Sequence, residues 1–119
     1  MSARGYLSGA TDPQQQPTHE QVEAAVEVLR LLADPSRLRL MGALAGGQEV
    51  DVASLTAILG VARPLVSQHL ARLRLAGLVA ARREGRRQLY RSRGRNVRAL
   101  VEQALYLADH QLRGDEPQD

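Results

Sequence analysis

The chain has 119 residues, the length of one domain, and its low aromatic content of 3% against 44% hydrophobic residues predicts an aliphatic core. The absence of cysteine excludes a disulfide framework, a cysteine nucleophile and a thiolate zinc site. The net charge of +3 hides an asymmetry, because eleven of the sixteen arginines and only one acid lie in residues 60–98. This cationic block favours a polyanion as partner, and the alternative is a solvated basic surface.

The two ends of the chain differ from its middle. Residues 1–18 are rich in Gly, Pro, Gln and Ser without periodicity, which predicts a flexible tail. A first helix is predicted from about Thr18, because apolar residues then recur with helical spacing. This apolar stripe consists of Val22, Ala25, Val26, Leu29 and Leu32. Residues 113–119 predict an acidic tail, so residues 19–112 form the predicted folded domain.

The next two helices are predicted from their cap and stop residues. Asp34 is a typical N-cap before a proline, which predicts a second helix over Pro35–Ala45. Asp51 is the expected N-cap of a third helix, Val52–Leu59, and Gly60 ends that helix.

A fourth helix, a hairpin and a last helix follow. The fourth helix is predicted over Arg63–Ala76, before a glycine of the kind that ends helices. Two strand-like runs, residues 78–83 and 86–91, flank a glycine-containing turn and predict a β-hairpin. Asn96 is the expected N-cap of the last helix. The apolar stripe of that helix consists of Val97, Leu100, Val101, Ala104, Leu105, Ala108 and Leu112.

The predicted fold is therefore mainly α with a small β-hairpin, in the order α-α-α-α-β-β-α. The third and fourth helices, joined by a short turn and followed by a hairpin, have the layout of a helix-turn-helix with a wing. The cationic block covers the fourth helix and the hairpin, which are the two parts of such a fold that touch DNA.

One side of the fourth helix carries the candidates for reading DNA. Its core face is predicted to consist of Val66, Leu70 and Leu73. The N-terminal residues of this helix meet base edges in a helix-turn-helix, and Gln and Arg match the edges of adenine and guanine. The base-reading candidates are Arg63, Pro64, Ser67 and Gln68. Arg72 lies one turn further on and is expected to bind phosphate.

The hairpin adds a second set of candidates for binding DNA. The arginines that flank the hairpin tip are Arg82, Arg83, Arg86 and Arg87. Because like charges repel, their clustering favours contact with phosphate, and the alternative is a solvated hairpin.

His69 borders the apolar face of the fourth helix, where a hydrogen-bonded structural role is favoured over a role as a ligand.

Three segments resemble the ArsR/SmtB family of bacterial winged-helix regulators: residues 32–38 (LADPSRL), 66–73 (VSQHLARL) and 76–79 (AGLV). The resemblance covers about residues 20–112 and is greatest to nickel- and cobalt-linked members from actinobacteria. It implies a cytoplasmic transcription factor that forms a homodimer through its first and last helices. It also implies an inverted-repeat operator and control by a metal ion or another signal. The family often has Ser or Thr at the N-cap of the fourth helix, where this chain has Ala62.

The metal sites that the resemblance implies are mostly missing. The matching positions are Asp51 and Ala53 for a cysteine site, and Gly94, Asn96, Leu107 and His110 for a site on the last helix. The remaining candidates are His19, Glu20, Asp109 and His110, and His19 and His110 from opposite chains could meet across a dimer. Their nitrogen and oxygen donors suit nickel. The alternative is that both histidines are exposed residues at helix ends.

The sequence thus predicts a dimeric, cytoplasmic, sequence-specific DNA-binding regulator linked to nickel. No nucleophile–base pair, phosphate loop or metal-hydrolase motif predicts an enzyme, and no apolar run reaches the ~20 residues of a membrane span. Two alternatives stay open. In one, the DNA-binding module has no metal sensing of its own and answers to a small molecule or a partner, such as a metal-binding co-regulator protein. In the other, the basic face docks onto an acidic protein.

Overall fold

The structure of the chain, a computed structural model, describes residues 15–114. Its elements are α1 (His19–Leu32), α2 (Pro35–Ala43), β1 (Val50–Asp51), α3 (Val52–Leu59), α4 (Arg63–Leu75), β2 (Val79–Glu84), β3 (Arg87–Ser92) and α5 (Arg95–Arg113). The predicted order of four helices, a hairpin and a last helix is confirmed, with one short strand added. Most of the two predicted tails, residues 1–14 and 115–119, lies outside the described residues.

Side-chain caps start the first three helices. Thr18 accepts a hydrogen bond from the backbone N–H of Gln21 at 3.0 Å, and the Gln21 side chain accepts one from Thr18 at 2.8 Å. This reciprocal capping box fixes the start of α1. Asp34 and Asp51 cap α2 and α3 in the predicted way, each accepting from the backbone N–H three residues on.

Several predicted boundaries are wrong. Helix α2 ends at Ala43, two residues early, and both hairpin strands begin and end one residue later than predicted. The N-cap of α5 is Gly94, not Asn96, and no side chain caps this helix. The backbone N–H of Arg93 still bonds to the carbonyl of Leu78 at 2.9 Å, and Gly94 then turns the chain at a φ of 95°. Asn96 therefore already lies inside the first turn.

Two further boundaries each differ from the prediction by one residue. Helix α4 ends at Leu75, where Ala76 was the predicted last residue, and Gly77 follows with the expected positive φ of 79°. Arg113, predicted to begin the acidic tail, is the last residue of α5, and Gly114 ends that helix in a left-handed conformation.

The sheet has three antiparallel strands in the order β1-β3-β2. The strand that sequence reasoning missed, β1, pairs with β3 through only two positions, Val50 with Tyr90 and Asp51 with Leu89. Two residues are too few to show the alternation of a strand. Because β1 leads directly into α3, this pairing joins the hairpin to the first helix of the helix-turn-helix.

The core is aliphatic, as its composition predicts. Its largest fully buried side chains are Leu40, Met41, Leu44, Leu55, Val66, Leu70, Leu73, Val79 and Val101. They come from α2, α3, α4, α5 and the sheet, and they include the whole predicted core face of α4. The hydroxyl of Ser92 is buried and donates to the carbonyl of Leu44 at 3.0 Å, which ties β3 to the end of α2.

The apolar stripes of the two terminal helices point away from this core. Leu32 is the one buried residue of α1, and Val101 is the one buried residue of α5 within the described range. The exposed members are Val22, Val26 and Leu29 on α1 and Leu100, Leu105 and Leu112 on α5, and Tyr106 and Leu107 of α5 are exposed outside the predicted stripe. None of the helices in residues 15–114 combines the length and the apolar character needed to cross a membrane.

Candidate nucleic-acid interface

The turn between α3 and α4 sets the direction of α4. Gly60 ends α3 with a φ of 71°, in the left-handed region, and its N–H bonds to the Thr56 carbonyl at 2.8 Å. Ala62 is the N-cap of α4 in an extended conformation but offers no side-chain acceptor. Pro64 sits in the first turn of α4, where its missing N–H costs no hydrogen bond.

All the predicted DNA contacts on α4 lie on its solvent side. These residues are Arg63, Pro64, Ser67, Gln68 and Arg72, and each is exposed. Helical geometry turns Pro64, Ser67, Gln68 and Arg72 away from the buried face of Val66, Leu70 and Leu73, whereas Arg63 is exposed as the first residue of the helix. Within residues 15–114 none of the five side chains makes a hydrogen bond or an ion pair. Their polar groups are therefore available to a ligand.

The wing arginines divide into two pairs. Arg82 donates two hydrogen bonds to the carboxylate of Glu49, from Nε at 2.6 Å and from Nη2 at 2.8 Å. Arg87 donates from Nη2 to Asp51 at 3.2 Å. Glu84 lies 3.6 Å from both guanidinium groups. Two of the four arginines near the hairpin tip are thus tied to carboxylates of the same chain.

The other pair is Arg83 and Arg86. Arg83 stands opposite Gln88 in the register of the hairpin, on the other face of the sheet from Arg82. Arg86 belongs to the turn between β2 and β3, next to Gly85 with its φ of 63°. Both side chains are exposed and form no ion pair within the described part of the chain. They are the wing residues that can reach a phosphate without losing a partner.

The carboxylates that pair with the wing are ionised. The hydrogen bonds from Arg82 hold the pKa of Glu49 below its ordinary value of 4.5, and Arg91 and Arg87 act in the same direction. The backbone and hydroxyl hydrogen bonds of Ser54 lower the pKa of Asp51, with Arg87 adding to the effect. Glu49 and Asp51 therefore carry full negative charge at neutral pH, inside the region with the most positive charge.

Sequence reasoning did not identify these two carboxylates as part of the site. The sequence predicts Asp51 as a helix cap and as a match to a missing cysteine site, not as a partner of the wing, and Glu49 lies 33 residues from Arg82 along the chain. The acidic segment just before α3 predicts a cationic partner but does not specify which arginines it pairs with. Arg98, counted in the cationic block, instead packs its half-buried guanidinium against Gly47, where a Cβ would overlap it.

His69 has the structural role that was favoured for it. Its Nδ1 lies 3.3 Å from Nη1 of Arg37, and its ring is half-buried. Arginine can only donate a hydrogen bond, so Nδ1 accepts and the proton of the neutral ring is on Nε2. The ring faces the body of the domain and not the DNA-reading side of α4.

The metal candidates of one chain do not come together. His19 Nε2 lies 3.4 Å from a carboxylate oxygen of Glu23, and Asp109 accepts a hydrogen bond from Arg113 at 2.8 Å. The ring of His110 meets Tyr106 edge-on, with ring centroids 4.4 Å apart. Over residues 15–114 no three His, Cys, Asp or Glu side chains of one chain could hold a metal ion together. A site made of His19, Asp109 and His110 therefore requires donors from two protomers.

A pair of helices with an unpartnered polar face, followed by an arginine-bearing hairpin, defines a winged helix-turn-helix DNA-binding protein. Residues 34–81 match the family described as bacterial regulatory protein, arsR family. The chain is 41% identical over 105 residues to the HTH-type transcriptional regulator KmtR of Mycobacterium tuberculosis, across 88% of this chain and 78% of that protein. It is 40% identical over 89 residues to the HTH-type transcriptional repressor SmtB of the same species, across 75% and 65%.

A solved structure agrees with these matches. The homodimeric winged helix-turn-helix DNA-binding domain of Mb0332 from Mycobacterium bovis superimposes with a TM-score of 0.73 at 30% identity, covering 92% of this chain and all of that one. The chain belongs to the ArsR family. It is a DNA-binding transcriptional regulator and not an enzyme, as its sequence predicts.

Proposed function

We propose that this regulator binds an inverted-repeat operator as a homodimer. The observation that carries the proposal is the solvent side of α4, where the polar side chains of Arg63, Ser67 and Gln68 have no partner within the described residues. An exposed polar surface whose side chains have no partner within the described residues, next to exposed arginines, favours a ligand that offers hydrogen-bond acceptors and negative charge together. The major groove of DNA offers both.

The proposed roles follow from position. Gln68 and Arg63 match the edges of adenine and guanine, and Ser67 can bond a base or a phosphate. Arg72, Arg83 and Arg86 would bind phosphates, which fix the register of the protein on the duplex without reading its sequence. Arg87 could join them only by leaving Asp51.

The exposed apolar stripes of α1 and α5 support the dimer. Leu29 on α1 is 53% exposed and Leu105 on α5 is 43% exposed, too much apolar surface for helices that stay in water. A second copy of the chain presents the same two stripes, so a two-fold interface would cover both. Two copies of α4 would then enter successive major grooves about 34 Å apart.

The first experiment selects binding sites from a pool of random duplexes and measures the affinity of the enriched site by fluorescence anisotropy. We expect an inverted repeat, and an affinity about a thousandfold or more above that for a random duplex. Enrichment of no sequence would overturn the proposal. It would favour the reading in which the basic face docks onto an acidic protein, which pull-down with an acidic peptide would then test.

We also propose that nickel is the signal, bound between protomers by His19, Asp109 and His110. The support is the chemistry of the donors, because nitrogen and oxygen ligands suit nickel at octahedral coordination. Binding would change transcription only to the extent that one dimer state binds nickel better than the other. Since the DNA of a bacterium lies in its cytoplasm, the regulator would act there.

Calorimetric titration of the dimer with nickel tests this signal. We expect sub-micromolar binding that His19→Ala and His110→Ala each remove, whereas His69→Ala retains it. Weak binding, or binding that both variants retain, would overturn the interface site. The remaining hypothesis would then be that a partner protein or a small molecule controls the regulator.

A further inference from the structure

Two ion pairs cross the sheet at the base of the wing. Strand β3 lies between β1 and β2, and Leu89 on β3 stands opposite both Asp51 and Arg82. The guanidinium of Arg82 reaches across β3 to Glu49, which directly precedes β1. Leu89 is buried beneath this crossing, at 4% exposure.

The second ion pair leads to the helix-turn-helix. One carboxylate oxygen of Asp51 accepts the backbone N–H of Ser54 at 2.7 Å and so caps α3. The other oxygen accepts from Arg87 at 3.2 Å. A single carboxylate thus holds the start of the helix-turn-helix and a wing arginine at once.

These contacts matter because they occupy arginines that DNA would otherwise recruit. Each arginine that neutralises a phosphate releases counterions, and this term favours DNA of every sequence equally. A side chain already bonded to a carboxylate must give up that bond before it can bind phosphate. Arg82 is 52% exposed and Arg87 is 59% exposed, so duplex DNA could reach both.

We propose that Glu49 and Asp51 keep Arg82 and Arg87 bonded within the protein and so limit the affinity of the wing for DNA of any sequence. Of the wing arginines, Arg83 and Arg86 are then the ones that meet phosphate. The bases are read by α4, whose contacts are unaffected, so this limit applies to operator and random DNA alike and leaves the ratio between the two affinities unchanged. The inference rests on the proposed function, because it concerns DNA binding by the same surface.

The test compares Glu49→Gln with Glu102→Gln, a matched control. Both substitutions remove one negative charge, but Glu102 is exposed on α5 and makes no ion pair in residues 15–114. Affinity is measured by fluorescence anisotropy on the selected operator and on a random-sequence duplex, at salt concentrations from 50 to 300 mM. Circular dichroism confirms that each variant is folded.

We expect Glu49→Gln to bind the random duplex about fivefold more tightly than Glu102→Gln does at 0.15 M salt, since one further phosphate adds about 0.9 to the slope of log K against log salt. The affinity for the operator should rise by the same factor, so the operator-to-random ratio should stay unchanged. Asp51→Asn removes the second charge while asparagine still caps α3. Combined with Glu49→Gln, it should steepen the slope by about 2 relative to the wild type.

The outcomes separate this inference from the proposed function. Failure of the wild type to bind any duplex at 50 mM salt would sink the proposed function itself. If the wild type binds and Glu49→Gln has the same slope as Glu102→Gln, the inference alone is wrong. It is equally wrong if Glu49→Gln binds both duplexes more weakly, because the ion pairs would then serve to hold the wing in place.

Discussion

Nη1 of Arg37, on α2, lies 3.3 Å from Nδ1 of His69, in the middle of α4. The same guanidinium donates from Nε to the carbonyl of Leu31 at 2.6 Å, in the last turn of α1. One side chain therefore joins three helices. The carbonyl that it binds is one of those that the end of a helix leaves without an intrahelical partner.

Replacing this arginine should destabilise the domain. We expect Arg37→Met to lower the free energy of unfolding by about 1.5–3 kcal/mol, the usual range for hydrogen bonds of a charged group. Arg39→Met is the control, because Arg39 is exposed two residues away and makes no such bond within residues 15–114. Urea unfolding followed by circular dichroism measures both. Equal losses would show that the contacts of Arg37 contribute no stability.

The empty N-cap of α4 should allow a gain in stability. Ala62 has the extended conformation of an N-cap (φ −60°, ψ 140°) but lacks an oxygen to accept a backbone N–H. Ala62→Ser should therefore stabilise the fold by about 1 kcal/mol, or raise Tm by about 4–8 °C for a domain of this size. Ala62→Val changes size without adding an acceptor. A rise in Tm for valine as large as that for serine would contradict the capping explanation.

Substitutions should distinguish residues that read bases from residues that bind phosphate. Gln68→Ala is expected to cost about 1–3 kcal/mol on the operator and little on a random duplex, so sequence preference relaxes. Arg86→Ala should weaken both complexes alike and reduce the slope of log K against log salt by about 1. The measurement is anisotropy on both duplexes. The same pattern of loss for the two variants would refute this division of roles.

A charge in the apolar stripe of α1 should dissociate the dimer. Leu29 is 53% exposed, and covering such a side chain contributes about 1.5–3 kcal/mol. Leu29→Glu should therefore raise the dimer Kd at least about tenfold. Ile58→Glu on α3, with a similar exposure of 55%, is the control and should leave the dimer intact. Light scattering after size exclusion reports the mass. An unchanged dimer for Leu29→Glu would place the interface elsewhere.

The Glu49–Arg82 pair should lose its effect on stability in acid. Arg82 lowers the pKa of Glu49 in the folded state, so the folded form prefers the carboxylate. The contribution of this group is therefore present above its ordinary pKa of 4.5 and is lost as the pH falls through the lower, folded value. The difference in unfolding free energy between wild type and Glu49→Gln should be constant from pH 7 to pH 6 and shrink below 4.5. A difference that grows in acid would reverse the assigned direction.

Local rules predicted much of the fold. Asp34, Asp51 and Gly60 act where caps and stops were expected, because each forms its contacts with residues three or four positions away. Asn96 shows where such rules fail. It is a better cap by type than Gly94, but the pairing of the chain at Arg93 with Leu78 fixes the turn two residues earlier.

The residues of the DNA-binding site likewise include some that the sequence could predict and some that it could not. The exposed face of α4 follows from helical periodicity alone, so its residues could be found in the sequence. The bonds of Arg82 and Arg87 could not, because they depend on which strand lies between Glu49 and the hairpin. A two-residue strand brings those partners together, and no pattern in the sequence marks it.

The outward-facing stripe of α1 has a consequence for the amount of protein in the cell. Leu32 is the one buried residue that α1 contributes to the core, and only Val28 and Leu31 pack against the core beside it, both partly buried, so a protomer by itself leaves most of the apolar surface of this helix uncovered. In the proposed dimer, association and folding are thermodynamically linked, and the melting temperature rises with protein concentration. A dilute regulator would then unfold and be degraded more readily than an abundant one. The cellular concentration of the regulator would therefore affect its rate of degradation even without an operator or a signal.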